Sequence, residues 1–190
     1  AFGIANQVNG QVSAISSTIK NVIYPQLMKS EGGGDRERML RLSILVTKIP
    51  FIIISLLGVP LIIEMGFVFD LWLKEIPDFS IGLTRLLIIL TLISSLSYGL
   101  IAAVQSIGKI KIYQIVTGTL LILGLPTAIV FFELKFNVIS AIIIALSFEI
   151  LAHLFRLFFL KKIAKISVSE LIKKIDVPLI IIFLVALIFS

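Results

Sequence analysis

The chain has 190 residues, 58% of them hydrophobic and only 15% charged, with a formal charge of +6 and a mean hydropathy of +1.14. So apolar a composition excludes an ordinary water-soluble domain, and the basic residues sit in short stretches beside apolar runs rather than in a nucleic-acid-binding patch. The absence of cysteine and the single histidine exclude disulfide frameworks, thiolate or His-rich metal sites and Cys nucleophiles.

Six membrane segments are predicted in chain order, at residues 2–27, 42–63, 81–104, 112–132, 136–160 and 177–190. A hydrocarbon core of roughly 30 Å needs about 20 mostly apolar residues per crossing helix. These runs are too long and too weakly alternating for barrel strands, and unpaired backbone is not tolerated in lipid. The expected fold is therefore an all-α polytopic transmembrane helix bundle, a single transmembrane domain over 1–190. Because the sequence starts inside a helical pattern at Ala1 and stops inside an apolar run at Ser190, we expect a fragment with a truncated last segment.

The first segment is the least apolar. Asn6, Asn9, Ser13, Ser16, Ser17, Lys20 and Asn21 recur at helical spacing over an arc of about 140°, with Gln7, Gln11 and Thr18 at its border and Ile4, Val8, Val12, Ile15, Ile19 and Val22 opposite. An amphipathic helix lying in the interface, or one bonded to its neighbours through Ser and Asn, would explain the pattern. So would a hydrated cavity that admits a polar substrate, with Lys20 supplying a positive charge. The following Glu31-Gly32-Gly33-Gly34-Asp35 reads as a turn, with Asp35 as the cap of a short basic helix from Arg36 to Arg41. It lacks the Lys-Ser/Thr pair of a phosphate loop.

In the second segment Lys48 lies near one end, beside Thr47, Pro50 and Ser55, which suggests a kinked, partly hydrated helix. Trp72 suits a headgroup boundary. Arg85, near the start of the third segment, is placed to meet headgroups or line a vestibule. Pro50, Gly58, Pro60 and Pro126 interrupt apolar helices, a weak pointer to hinges. In the fifth segment Glu149, His153 and Arg156 at i, i+4 and i+7 share one face. A charge at mid-span costs about 2.5–3.5 kcal/mol on insertion scales, so Glu149 should be paired, protonated or hydrated. The trio is a candidate ion-coupling site or a neutralised structural pair, with Arg156 close enough to the end to snorkel.

Lys and Arg concentrate in loops that stay in the cytoplasm, and here they alternate. Lys29, Arg36, Arg38, Arg41, Lys109, Lys111, Lys161, Lys162, Lys165, Lys173 and Lys174 mark three connections, against Lys74 and Lys135 in the other two. Loops 28–41, 105–111 and 161–176 are thus expected to be cytoplasmic.

Several motifs carry a family resemblance. Gly3-Ile4-Ala5-Asn6-Gln7-Val8, then Tyr24-Pro25-Gln26 with Lys29, Gly34-Asp35, Leu71-Trp72-Leu73 and Gln105-Ser106-Ile107-Gly108-Lys109-Ile110-Lys111-Ile112-Tyr113-Gln114 resemble, in order, the bacterial polysaccharide (O-antigen repeat-unit) flippases. These are similar to the multidrug and toxic compound extruders, within the multidrug/oligosaccharidyl-lipid/polysaccharide exporter superfamily. The resemblance implies part of the C-terminal lobe of a two-lobed extruder-like transporter in the bacterial cytoplasmic (inner) membrane. It also implies export of undecaprenyl-diphosphate-linked oligosaccharides for lipopolysaccharide and other surface polysaccharides, with a polysaccharide polymerase as partner.

The expected substrate-cavity residues are Asn6, Gln7, Asn9, Ser13, Ser17, Lys20, Lys48 and Arg85; Glu149, His153 and Arg156 are the candidates for proton or sodium coupling. Membrane lipids and the lipid-linked oligosaccharide are the expected partners, and no nucleic acid, cofactor, metal or covalent chemistry is expected. Two other readings stay open: a cation-coupled multidrug exporter of the same fold, for which Glu149 would matter most, and a membrane-embedded glycan transferase or polymerase, whose foothold would be Asp70, Glu75 and Asp78.

Overall fold

The computed structural model describes residues 1–108, 110–164, 173 and 176–188. Lys109, Lys165, Lys174 and the last two residues of the sixth predicted segment lie outside them. The described residues form helices α1 (Phe2–Gly32), α2 (Arg36–Ile63), α3 (Met65–Trp72), α4 (Ser80–Leu96), α5 (Tyr98–Ile107), α6 (Lys111–Glu133), α7 (Ile139–Ala164) and α8 (Val177–Ile188), with no strand among them.

Four helical stretches, α2, the α4–α5 pair, α6 and α7, are long and apolar enough to cross a membrane. The chain is an all-α bundle of a multi-pass membrane protein. Helix α1 has 31 residues, about 46 Å at 1.5 Å per residue, so it is long enough to cross but too polar to qualify on composition. The 12 described residues of α8 fall short of the length needed.

The boundaries differ from the sequence expectation where local capping decides them. The turn between α1 and α2 is only residues 33–35, not 28–41. Gly34, at φ +80°, turns the chain so that the Asp35 N–H donates back to the Ser30 carbonyl at 2.9 Å, a left-handed helix stop that favours glycine. Asp35 does cap the next helix, accepting from the Arg38 N–H at 3.0 Å. That helix is not short, however: it runs unbroken into the second span, and Arg36 and Arg41 are neutralised by Glu31 and Glu37. Helix α5 likewise runs to Ile107 and α6 starts at Lys111, inside the predicted 105–111 loop, and the connection between the second and third predicted segments contains α3.

The third predicted segment is a single span, Ser80–Ile107, interrupted for one residue at Ser97 between α4 and α5. Ser94, Ser95 and Ser97 offer competing hydroxyls to the local backbone; Ser95 Oγ donates to the Leu92 carbonyl at 2.6 Å, and the Ser97 N–H reaches Ser94 rather than a full helical turn back.

Helix α1 packs on α2, α4 and α5; α2 also meets α4, α5 and α8, and α7 meets α4, α5 and α6. Leu27, Met39, Ile54, Ile88, Val104 and Leu160 are fully buried between them. Leu56 of α2, Ile122 and Leu125 of α6 and Phe158 of α7 point outward, as helix faces bathed in lipid should. Apolar surface gives little drive for association inside a bilayer, so close packing must hold the helices.

Gly99 is the closest approach. A Cβ there would overlap the Ser43 carbonyl oxygen of α2 and lie 2.5 Å from Thr47 Oγ1. A side-chain rotation cannot relieve a clash with backbone, so Gly99→Ala should destabilise the bundle by at least the roughly 1–3 kcal/mol of core overpacking. The readout is the thermal unfolding midpoint in detergent, with Gly118→Ala, where a Cβ meets nothing within 4 Å, expected to leave it unchanged or raise it.

Candidate functional site

The break at Ser97 falls near the middle of the Ser80–Ile107 span, where no water is at hand to solvate freed backbone groups. The first amides of α5 therefore need partners from other helices. The Gly99 N–H donates to Thr47 Oγ1 of α2 at 3.0 Å, so a side chain on one helix caps another. The missing Cβ of Gly99 is what lets α2 come close enough. On the other side, the Tyr24 hydroxyl of α1 donates to the Tyr98 carbonyl at 3.2 Å.

The Ser97 side chain, fully buried, is the node of a polar network with α7. Arg156 Nη1 donates to Ser97 Oγ at 2.9 Å and to Glu149 Oε1 at 2.6 Å. Ser97 Oγ lies 2.8 Å from His153 Nδ1, and His153 Nε2 lies 3.5 Å from Asp176 Oδ2, just before α8. Arginine can only donate. Ser97 Oγ therefore accepts from Arg156, while the direction of its bond with His153 follows the imidazole tautomer. One continuous polar chain links α7, the Ser97 break and the start of α8.

Glu149, His153 and Arg156 are each at least nine-tenths buried, and the structure joins them as their spacing suggests. Arg156 is not snorkelling: it is turned inward as the counter-charge of Glu149, and its Nε has no hydrogen-bond partner among the described residues. An apolar cleft of about 330 Å³ between α4, α6 and α7, lined by Ser94, Phe148 and Glu149 among others, brings the Glu149 carboxylate close to the bundle surface.

The polar residues of α1 divide into two edges. Asn9, Ser13, Ser16 and Lys20, spaced i, i+4, i+7 and i+11, turn towards the bundle. Thr91 Oγ1 of α4 donates to Asn9 Oδ1 at 2.7 Å, and Lys20 Nζ sits 4.1 Å from the centre of the Tyr98 ring, a cation–π contact. Asn6, Gln7 and Ser17 lie on the other edge and are exposed, with Gly10, Gln11, Thr18 and Asn21. The single polar face expected from the sequence is thus half docked and half open.

Lys48 is half-buried on α2. Arg85 is half-buried on α4 and reaches back to the end of α2. Its Nε and Nη2 donate to the carbonyls of Ile62 and Ile63 at 2.6 and 3.1 Å, where a positive charge closes the last turn of α2 and opposes its dipole. By helix rise that end is roughly 20 Å along α2 from Lys48, so Arg85 does not join the two lysines. Ser97, Tyr98 and Asp176 were not singled out in the sequence. The Ser94-Ser95-Leu96-Ser97 run inside an apolar span is the signal that points to the first two. Among the described residues no cluster of His, Asp and Glu could hold a metal ion.

Compared with protein-family models, curated proteins and solved structures, the chain matches none.

Breaking one partner of a buried ion pair strands the other charge, which costs about 3–5 kcal/mol, whereas replacing both with apolar groups is often neutral. Arg156→Met alone should therefore lower the unfolding midpoint in detergent markedly, and Glu149→Leu combined with Arg156→Met should recover most of the loss. Ser97→Ala, which deletes the node, should cost about 1–3 kcal/mol.

Proposed function

We propose that this chain forms part of the C-terminal lobe of a two-lobed, extruder-like flippase that moves undecaprenyl-diphosphate-linked oligosaccharide repeat units across a bacterial cytoplasmic membrane by alternating access, for O-antigen or related surface polysaccharide assembly. The observation that carries this reading is the open edge of α1. Asn6, Gln7, Gln11, Ser17, Thr18 and Asn21 are exposed along one side of a helix, while the exposed sides of α2, α6 and α7 are apolar.

Amides facing hydrocarbon without partners cost several kcal/mol in total. That edge belongs against water or a polar partner, and a central cavity closed by a second lobe supplies both. Sugars would travel along it while the polyprenyl tail stays in lipid. Lys20 and Lys48 are each 12 residues from the 33–35 turn on neighbouring helices, so they lie at similar depth, about 18 Å in, placed to attract a diphosphate. The family motifs quoted above favour the same assignment. The turns at 33–35 and 108–110 and the end of α7 then face the cytoplasm.

Glu149, His153 and Arg156 are the groups through which a proton or sodium gradient would act. Their network touches the α1 side through the Ser97–Tyr98 break, since Tyr98 carries Lys20 and Ser97 carries Arg156. A drug exporter would need a carboxylate free for an organic cation, and the pairing of Glu149 with Arg156 favours the flippase instead. The reading requires no covalent step, and a polymerase would consume the product.

Lys20→Ala with Lys48→Ala should stop surface polysaccharide assembly at normal protein level; normal assembly in that variant counts against the cavity. Because the chain has no cysteine, single cysteines placed at Asn6, Gln7 and Ser17 should react with a membrane-impermeant thiol reagent, and cysteines at Leu56 and Ile122 should not. Reconstituted vesicles that export organic cations but do not flip lipid-linked oligosaccharide would favour the drug exporter.

A further inference from the structure

Two open clefts lie at the basic end of the bundle, and their charge balance differs. The cleft between α1 and α2, about 350 Å³, is lined by Lys29 and Arg38 but also by Asp35, and the neighbouring Arg36 and Arg41 are already paired with Glu31 and Glu37. The cleft between the start of α6 and the end of α7, about 470 Å³, is lined by Lys111, Ile112, Phe159, Lys162 and Ile163 among others, with no acidic residue among the described residues of its lining. The first turn of α6 likewise has no acidic residue and no capping side chain. Both lysines are exposed, as is Ile112.

We infer that this α6–α7 groove is a binding site for an anionic glycerophospholipid, with the headgroup phosphate between Lys111 and Lys162 and an acyl chain along Ile112, Phe159 and Ile163. The shape is amphipathic in the right sense: cations at the end of the helices, apolar walls leading towards the hydrocarbon. Unbalanced positive charge selects the headgroup. A zwitterionic lipid would bring its own ammonium against the lysines, whereas a phosphatidylglycerol-type headgroup carries net negative charge. Basic pockets between spans recognise anionic headgroups in this way, at about 1 kcal/mol per Lys, or roughly fivefold each. The inference needs only that the helices cross a membrane, and stands apart from any substrate the protein moves.

The test places a photo-cross-linking residue at Ile112 of the intact protein, reconstituted in phosphatidylcholine vesicles doped with phosphatidylglycerol, and identifies the captured species by mass spectrometry. Phosphatidylglycerol should be enriched over its mole fraction by on the order of twenty-fold. Lys111→Gln with Lys162→Gln should bring the enrichment close to unity, and the Lys111→Arg, Lys162→Arg pair should keep it. Enrichment that survives the glutamine pair, capture of a protein segment instead of lipid, or displacement by inorganic phosphate or by equimolar polyprenyl diphosphate would overturn the assignment.

Discussion

A bilayer offers a broken helix no water, and much of this bundle is arranged around that fact. The helical hydrogen-bond ladder is interrupted at Ser97, well inside the third span, and the neighbouring helices contribute partners: Thr47 from α2, Tyr24 from α1, and His153 and Arg156 from α7. Such an interruption is tolerated only where protein encloses it. Gly99 brings α2 into reach, Lys20 covers Tyr98, and Glu149 balances the arginine. Interhelical hydrogen bonds of this kind are individually modest in membranes, but here they converge on three consecutive residues, Ser97 to Gly99, that no single helix could satisfy.

How much of this is legible in the sequence depends on the range of the interaction. The helical class and the four long apolar spans follow from local composition, and the Asp35 cap is a contact over three residues. The spacing of Glu149, His153 and Arg156 likewise puts them on one face before any fold is known. What the residues could not reveal are partnerships across helices. Arg85 looks free until Ile62 and Ile63 end α2 beside it, and Arg156 looks close enough to the span end to escape until Glu149 and Ser97 hold it inside. Turn lengths read too long for a related reason: charged residues such as Lys29 and Lys111 read as loop, yet they are good helix formers and are helical in the structure.

The first helix shows the limit of periodicity as a guide. Its polar residues form one arc by angle, but docking cuts that arc lengthwise, so Asn9 bonds Thr91 while Asn6 and Gln7, only two or three positions away, face outward. Angular position on a helix says which residues are neighbours, and only the packing partner says which of them are covered.

Helix α6 is the opposite case. Only 6% of its most apolar window is buried, and its main neighbour is α7, so most of its surface answers to lipid rather than to protein. Over those positions any apolar side chain of roughly similar size satisfies the same demand. Evolution is therefore free to rewrite α6 faster than the other spans while its hydropathy stays fixed. The positions that should resist such drift are the few that touch protein, Tyr113, Thr117 and Gly124 against Phe148, giving a span whose identity is held by its solvent and anchored at a handful of points.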